Sequence, residues 1–151
     1  MNSDWIELIS IFKRLGIRYL VAGGHAVAFH SQPRFTRDID FAIGSTREDI
    51  EKLGVALAEF GFPIKSPQLE EFLNPNTMMS IGFYPNRVDI FNQLKGLDFE
   101  KAYLNRINTR YDGVDLAVIS LDDLIKTKQA SGRVQDLLDL EHLLKLKDPL
   151  D

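Results

Sequence analysis

Apolar residues recur at a helical spacing over 3–15, which predicts an amphipathic helix with Ser3 as its N-cap and Gly16 at its end. After this helix the spacing changes to that of a strand, and the two spacings then alternate. The elements predicted to follow are a strand over 17–22, a short helix over 24–30 that Pro33 closes, a strand over 37–43, and a helix over 46–60 capped by Ser45 or Thr46.

The second half of the chain is less regular, because prolines interrupt residues 61–76 and favour no more than a helical turn or two near 68–73. Later elements are predicted as a hairpin of 79–84 and 87–91 joined by Pro85-Asn86, a hairpin of 106–111 and 114–119 around Asp112-Gly113, a helix from Ser120 to about Ala130, and a helix over 133–146. The predicted fold class is therefore α/β (α+β): a mixed, mostly antiparallel sheet flanked by helices, with a C-terminal helical segment at about 120–147. We expect one domain over 1–151.

Composition narrows the chemistry that this chain can perform. It has no cysteine, and its three histidines are too scattered to suggest a zinc site, so a catalytic metal would have to bind to carboxylates, which favours Mg²⁺ or Mn²⁺. The N-terminus does not resemble a signal peptide, and no apolar run approaches the roughly 20 residues of a membrane span, so we expect a cytoplasmic protein without membrane contact. A net charge of −4 argues against broad nucleic-acid binding but leaves room for a local basic patch near the N-terminus.

Three aspartates form the main candidate site. Asp38 and Asp40 are two residues apart on a predicted strand, so both carboxylates point to one side, with Cα atoms roughly 6.5–7 Å apart. Two carboxylates this close repel each other unless a cation or a proton lies between them. Asp89 lies on the later strand 87–91 and joins the same cluster if that strand pairs beside 37–43. Such a cluster is typical of a site for one or two Mg²⁺ ions.

A pair of glycines, Gly23-Gly24, lies at the predicted strand-to-helix junction. Glycine allows backbone amides to approach a phosphate closely, and the N-terminus of the following helix favours an anion. A phosphate-binding turn beside a carboxylate cluster is what a metal–nucleoside triphosphate complex requires. A tight turn without a ligand is the alternative use of the same two glycines.

These motifs together resemble a known signature. A strand, Gly-Gly, thirteen intervening residues and then Asp-Ile-Asp-Phe is similar to the signature of the polymerase-beta-like nucleotidyltransferase superfamily. Gly-Gly-His-Ala-Val, Pro-Arg-Phe-Thr-Arg-Asp-Ile-Asp and the later run from Lys128 through Arg133 and Asp136 to Asp139 look most like the small bacterial branch that includes the AbiEii-type toxins of toxin–antitoxin systems. The resemblance implies the nucleotidyltransferase fold.

The resemblance also implies an activity and a role for each motif residue. Members transfer a nucleoside monophosphate from an NTP to an acceptor hydroxyl and release pyrophosphate. Asp38 and Asp40 would bind Mg²⁺ or Mn²⁺, and Asp89 would complete the metal site and help to activate the acceptor. The remaining assignments are Gly23 and Gly24 as nucleotide-binding residues, Lys128 and Arg133 as phosphate contacts or braces, and Asp136 and Asp139 as their supports. Apart from the resemblance, Arg37 is a further candidate nucleotide-binding residue because it lies beside Asp38. The expected partners are an NTP, an acceptor that is tRNA, another RNA or a protein, and an antitoxin.

Two departures from the family pattern bear on activity. The chain lacks the large extra helical domain of fuller transferases, so we expect its acceptor site to be minimal or supplied by a partner. Gly24 stands where many active members have a serine, which removes one hydroxyl that could bind phosphate. The competing interpretation is a non-catalytic nucleotide- or metal-binding module that acts with a partner.

Several residues keep two interpretations. Arg34 and Arg37 could bind the triphosphate or an RNA acceptor, or could pair with the neighbouring aspartates. Lys128, Arg133, Asp136 and Asp139 could equally form an exposed charge lattice at helical spacing. The last helix is rich in leucine beyond a single stripe, which indicates core packing first and a homodimer or partner surface second.

Overall fold

The computed structural model describes residues 1–31, 36–111 and 113–147. Its elements in chain order are α1 (Ser3–Leu15), β1 (Tyr19–Ala22), α2 (Gly23–His30), β2 (Asp38–Ile43), α3 (Arg47–Phe60), α4 (Ser66–Glu71), β3 (Thr77–Ile81), β4 (Arg87–Asn92), α5 (Phe99–Leu104), β5 (Ile107–Tyr111), β6 (Val114–Val118), α6 (Leu121–Ser131) and α7 (Val134–Lys147). The alternation of helices and strands predicted for the first 60 residues is confirmed.

The six strands form one mixed sheet in the order β3-β4-β2-β1-β6-β5. Pairs β3–β4, β2–β1 and β6–β5 are antiparallel, whereas β4–β2 and β1–β6 are parallel. Both hairpins predicted from the sequence are present as β3–β4 and β5–β6. The parallel pairing of β2 with β4 places two strands side by side that are separated by most of the middle of the chain, and the candidate site depends on it.

One face of the sheet carries an aromatic core. Phe41 of β2 lies edge-on to Phe12 of α1, with ring centroids 5.3 Å apart, and edge-on to Tyr19 of β1 at 5.7 Å. Helix α3 packs beside α1, and its residues Leu53 and Leu57 are fully buried. Because side chains alternate along a strand, the residues that flank Phe41 in β2 point to the opposite face. That opposite face is where Asp40 lies.

Side-chain caps and left-handed glycines fix the helix ends. Thr46 and Asp49 form a capping box at the start of α3, and Ser120 caps α6. Gly16 and Gly132 end α1 and α6 in the left-handed conformation. The prediction of Ser3 as the N-cap of α1 is wrong by one residue, because Asn2 accepts the hydrogen bond from the backbone N–H of Asp4.

Three further differences from the sequence prediction are local. The short helix α5 follows the β3–β4 hairpin and has no counterpart in the predicted elements. Strand β3 begins two residues earlier than predicted, at Thr77. Pro33, Arg34 and Asp112 lie outside the described residues. Within the described ranges, no helix combines the length and the apolar character that crossing a bilayer needs.

Three basic residues near the N-terminus have carboxylate partners within the described part of the chain. The Arg18 guanidinium lies 2.6 Å from an Asp49 carboxylate oxygen and 2.5 Å from one of Glu100. Arg14 pairs with Glu59, and the Lys13 ammonium lies 3.5 Å from an Asp115 oxygen. The positive charge of this region is therefore largely neutralised by carboxylates within the fold.

Candidate active site

Adjacent strands bring the three predicted aspartates together. Strands β2 and β4 pair in parallel with Asp40 directly opposite Asp89, and Asp38 lies two residues before Asp40 on the same face. Each of the three aspartates offers a carboxylate oxygen, and these oxygens lie within 4.8 Å of one another. The pairing on which the sequence prediction depended is present, and it produces a three-carboxylate cluster at the surface of the sheet opposite the aromatic core.

Burial and the closeness of like charges raise the pKa values of two carboxyl groups in this cluster. Burial first, and then the charges of Asp38 and Asp89, raise the pKa of Asp40 to about 7. Burial and hydrogen bonding to Asp89 also raise the pKa of Asp38. A carboxyl group whose pKa is raised in this way is destabilised as an anion, so near neutral pH the cluster favours either a bound proton or a nearby cation.

Gly23 makes room for Asp40. Its φ angle is +60°, a left-handed conformation that side chains disfavour. A Cβ atom at this position would lie only 2.0 Å from Asp40 Oδ2 and 2.8 Å from its carboxyl carbon. The first glycine of the Gly-Gly pair is therefore required by the carboxylate cluster itself, whether or not a phosphate lies against the turn. Gly24 follows as a buried residue in the first turn of α2.

Two residues that the sequence interpretation missed hold Asp89 in place. Ser80 Oγ on β3 donates a hydrogen bond to Asp89 Oδ1 at 2.6 Å, and Arg87 Nε donates to the same oxygen at 3.0 Å. Arg87 also donates to Ser80 Oγ at 3.2 Å. The contact between Arg87 and Asp89 could have been predicted from the sequence, because the two residues are two positions apart on one strand and must share a face. Ser80 could be found only from the register of β3 with β4.

The C-terminal helices contribute a buried ion-pair network. Lys128 Nζ on α6 lies 2.8 Å from Asp136 Oδ1 and 3.1 Å from Asp139 Oδ2 on α7, and all three side chains are at most 7% exposed. The exposed-lattice interpretation is therefore wrong for these three residues. Arg133 differs: its side chain is 79% exposed, and its Nε atom donates to Asp136 Oδ2 at 2.8 Å. The charges of Lys128 and Arg133 also act on Asp40, whose pKa they lower against the larger effects that raise it.

Most of these groups line one cleft of about 830 Å³. The predicted residues that line it are Gly23, Gly24, Asp38, Asp40, Asp89, Lys128 and Arg133. Met78 and Phe91, which face each other across β3 and β4, add an apolar wall. Arg37 lies elsewhere, with its guanidinium carbon 5.0 Å from the centre of the Tyr84 ring. The structure thus brings seven of the eight predicted site residues into one cleft.

A second cleft, of about 620 Å³, lies at the other end of the sheet between α1 and strands β5 and β6. Lys13, Arg106 and Arg110 contribute to its lining. Lys13 and Arg110 share Asp115 as an ion-pair partner, and Arg106 stacks on Tyr103 with its guanidinium carbon 4.0 Å from the ring centre. This cleft contains no cluster of three potential metal ligands among the described residues, which separates it from the carboxylate cleft.

Comparison with solved structures identifies the fold of the chain. An antigenic nucleotidyltransferase-like protein from Paracoccidioides brasiliensis superposes with a TM-score of 0.56 at 14% identity, over 99% of this chain and 78% of that one. The lincosamide antibiotic adenylyltransferase LnuA, solved with lincomycin bound, gives 0.56 at 15% identity, over 97% and 98% of the two chains. A nucleotidyltransferase from Thermotoga maritima gives 0.59 at 15% identity, over 92% and 89%. The chain therefore has the nucleotidyltransferase fold.

The family follows from the sequence. Residues 11–151 match the model of the family described as "Nucleotidyl transferase AbiEii toxin, Type IV TA system". The chain belongs to this AbiEii nucleotidyl transferase toxin family, as the Gly-Gly and Asp-x-Asp motifs led us to expect. No curated protein matches it in sequence.

Proposed function

We propose that the protein is a metal-dependent nucleotidyltransferase that moves a nucleoside monophosphate from an NTP to a hydroxyl group of RNA or protein. The observation that supports this most is the cluster of Asp38, Asp40 and Asp89, whose oxygens lie within 4.8 Å of one another at the base of a cleft. Family membership and fold make a transferase the expected class of enzyme. The cluster supplies the chemistry that the class needs.

The donor set of this cluster fits a hard divalent cation. Three carboxylates in close contact are the ligands that Mg²⁺ and Mn²⁺ prefer, and the described residues offer no cysteine or histidine that would favour a softer metal at this position. Burial, followed by the charges of Asp38 and Asp89, raises the pKa of Asp40 to about 7, and a cation beside the cluster would favour its ionised form. Asp38, Asp40 and Asp89 would hold Mg²⁺ or Mn²⁺, which, when bound, supplies positive charge to the triphosphate and the leaving pyrophosphate.

The chain's own residues would position the reactants around this cluster. Gly23 and Gly24 place backbone amides and the N-terminus of α2 beside Asp40, where a phosphate is favoured. Asp89 would accept the proton of the attacking hydroxyl, and the hydrogen bonds from Ser80 and Arg87 fix the direction of its carboxylate. Because Lys128 is buried between two aspartates, we assign it a bracing role, whereas exposed Arg133 remains a candidate phosphate contact.

The biological setting that we propose is a toxin–antitoxin pair. The family description names a Type IV system, which supports an antitoxin partner for this chain. LnuA, at 15% identity, is named for a lincosamide antibiotic, so the same fold also serves a small-molecule acceptor. A toxin role would mean an acceptor hydroxyl on RNA or on a protein, and both belong in the same screen.

Label transfer tests this function directly. The protein would be incubated with each of the four NTPs labelled at the α-phosphate, with Mg²⁺ or Mn²⁺, and with bulk cellular RNA or protein as acceptor. We expect label to enter one acceptor pool, and Asp40→Asn to reduce the rate by orders of magnitude because the cluster loses a charged ligand. Glu51→Gln, an exposed change on α3, is the matched control and should keep the full rate.

Two outcomes of this assay would contradict the proposal. If Asp40→Asn transferred label at the wild-type rate, the carboxylate cluster would not be the catalytic site. If NTP bound to the cluster but no label reached RNA, protein or a small-molecule acceptor, alone or with the antitoxin, the protein would be a nucleotide-binding module rather than a transferase.

A further inference from the structure

The lining of the carboxylate cleft contains four cationic side chains: Arg87, Lys95, Lys128 and Arg133. Three of them already have carboxylate partners within the fold. Arg87 pairs with Asp89, Arg133 with Asp136, and Lys128 with both Asp136 and Asp139. Lys95 has no ion pair or side-chain hydrogen bond with any residue in the described ranges. Among these four cations, Lys95 is therefore the one without a carboxylate partner in the described part of the chain.

The loop that carries Lys95 is held in a fixed position. It follows β4 directly and contains two left-handed residues, Gln93 at φ +66° and Gly96 at φ +82°. Gly96 lies tightly against α6, where an added Cβ would be only 2.8 Å from Ala130 Cβ and 3.0 Å from the Lys126 carbonyl oxygen. The left-handed conformation of Gln93 and the close packing of Gly96 on α6 fix the path of this backbone, which is typical of a loop that positions a functional group.

Two leucines that pack on the hydrophobic core lie on either side of Lys95 in this turn. Leu97 is buried in the hydrophobic core, and Leu94 is half-buried against it. The Leu97 backbone N–H donates to the Leu94 carbonyl at 3.0 Å, which closes the turn. Lys95 lies between these leucines, is itself exposed, and contributes to the cleft wall. Its position in the lining thus follows from the fold of the loop and not from an ion pair.

We propose that Lys95 is a phosphate-binding residue of the nucleotidyltransferase site and contacts the triphosphate chain of the NTP. This inference rests on the function proposed above. A triphosphate with one divalent ion keeps a net negative charge, and the cations that are already paired with aspartates have less positive charge to offer it. Lys95 is a flexible ammonium group with three donors, held at the cleft by a rigid turn, and it can bind phosphate without breaking an existing pair.

Nucleotide binding by matched lysine variants tests the assignment. Dissociation constants for an NTP, its diphosphate and its monophosphate would be measured with Mg²⁺ by calorimetry for the wild type, Lys95→Ala, Lys95→Arg and the control Lys101→Ala. Lys101 is an exposed lysine on α5 that does not line the cleft. Lys95→Ala should bind the NTP about ten- to one-hundredfold more weakly, which corresponds to one charged hydrogen bond.

Further comparisons separate a phosphate contact from a general loss of structure. We expect the monophosphate to bind Lys95→Ala and wild type alike, Lys95→Arg to recover most of the NTP affinity, and Lys101→Ala to match the wild type. Thermal unfolding without ligand should be the same for all four proteins, because the lysine side chain is exposed.

Each other outcome overturns the inference in a distinguishable way. Equal NTP affinity in wild type and Lys95→Ala would remove Lys95 from the site and leave the proposed function standing. Equal losses for NTP and monophosphate would show that Lys95 does not bind the outer phosphates. If the wild type bound no NTP under any metal condition, the proposed function would fail, and this inference with it.

Discussion

Single residues of this site are constrained by their neighbours as well as by a ligand. Gly23 shows this most clearly, because a side chain there would collide with Asp40 Oδ2 at 2.0 Å. The sequence alone indicates a glycine for phosphate approach, and the collision could not be foreseen because it depends on how β2 lies beside the start of α2. The Gly-Gly and Asp-x-Asp motifs are thus parts of one packing arrangement.

Gly23→Ala should destabilise the protein more than a left-handed glycine change elsewhere. The left-handed backbone alone costs about 1–2 kcal/mol for a residue with a side chain, and the collision with Asp40 adds to it. Gly113→Ala is the control, since Gly113 has φ +78° and nothing within 4 Å of an added Cβ. Unfolding in urea measures both. In an Asp40→Ala background only the residue-40 Cβ atom remains close, at 3.1 Å, so most of the excess cost of Gly23→Ala should disappear. An excess of unchanged size would show that the collision with the carboxylate is not its cause.

The sequence predicted helices and turns correctly where their sequence patterns involve only neighbouring residues. The amphipathic periods of α1 and α3, the turn at Pro85-Asn86 and the Ser120 cap each depend on a few neighbouring residues, and each agrees with the structure. The pairing of β2 with β4 is not local. The sequence therefore predicted that Asp89 joins the cluster only if these two strands pair. The burial of Lys128 could not be predicted either, because helical spacing shows which charges share a face but not what packs on that face.

The α6–α7 pair should depend on its buried charges. Lys128→Met removes the cation between Asp136 and Asp139, and breaking a buried pair by deleting one partner costs about 3–5 kcal/mol because buried charges are left uncompensated. Lys126→Met, on the same helix with a 64% exposed side chain, should change the free energy of unfolding by less than about 0.5 kcal/mol.

Urea unfolding of the two variants decides the point. Adding Asp136→Asn and Asp139→Asn to Lys128→Met should recover part of the loss, because the uncompensated charges are then gone. If Lys128→Met were as stable as Lys126→Met, the network would not stabilise the packing of α6 on α7.

At the scale of the whole molecule, the aromatic core and the candidate site lie on opposite faces of the sheet. Aromatic and aliphatic side chains cover one face with α1 and α3, and the opposite face presents the aspartates below a cleft bounded by α2, α6 and the loop after β4. The sequence predicted this fold, and seven of the eight residues that it proposed for the site line the cleft. It missed Arg87, Ser80 and Lys95, whose roles depend on cross-strand neighbours and on a loop packed against α6.

A metal–nucleotide complex on the carboxylate cluster should stabilise the folded protein against heat only when metal and nucleotide are both present. Wild type and the Asp38→Asn/Asp40→Asn double variant would be unfolded with each of the four NTPs, with and without Mg²⁺ or Mn²⁺. At 100 times its dissociation constant a ligand stabilises the folded state by about 2.7 kcal/mol, or roughly 2–4 °C at this size. We predict such a shift for the wild type with metal and NTP together, and none for the double variant. An equal shift in both proteins would place the nucleotide elsewhere, and no shift in either would contradict nucleotide binding by this protein.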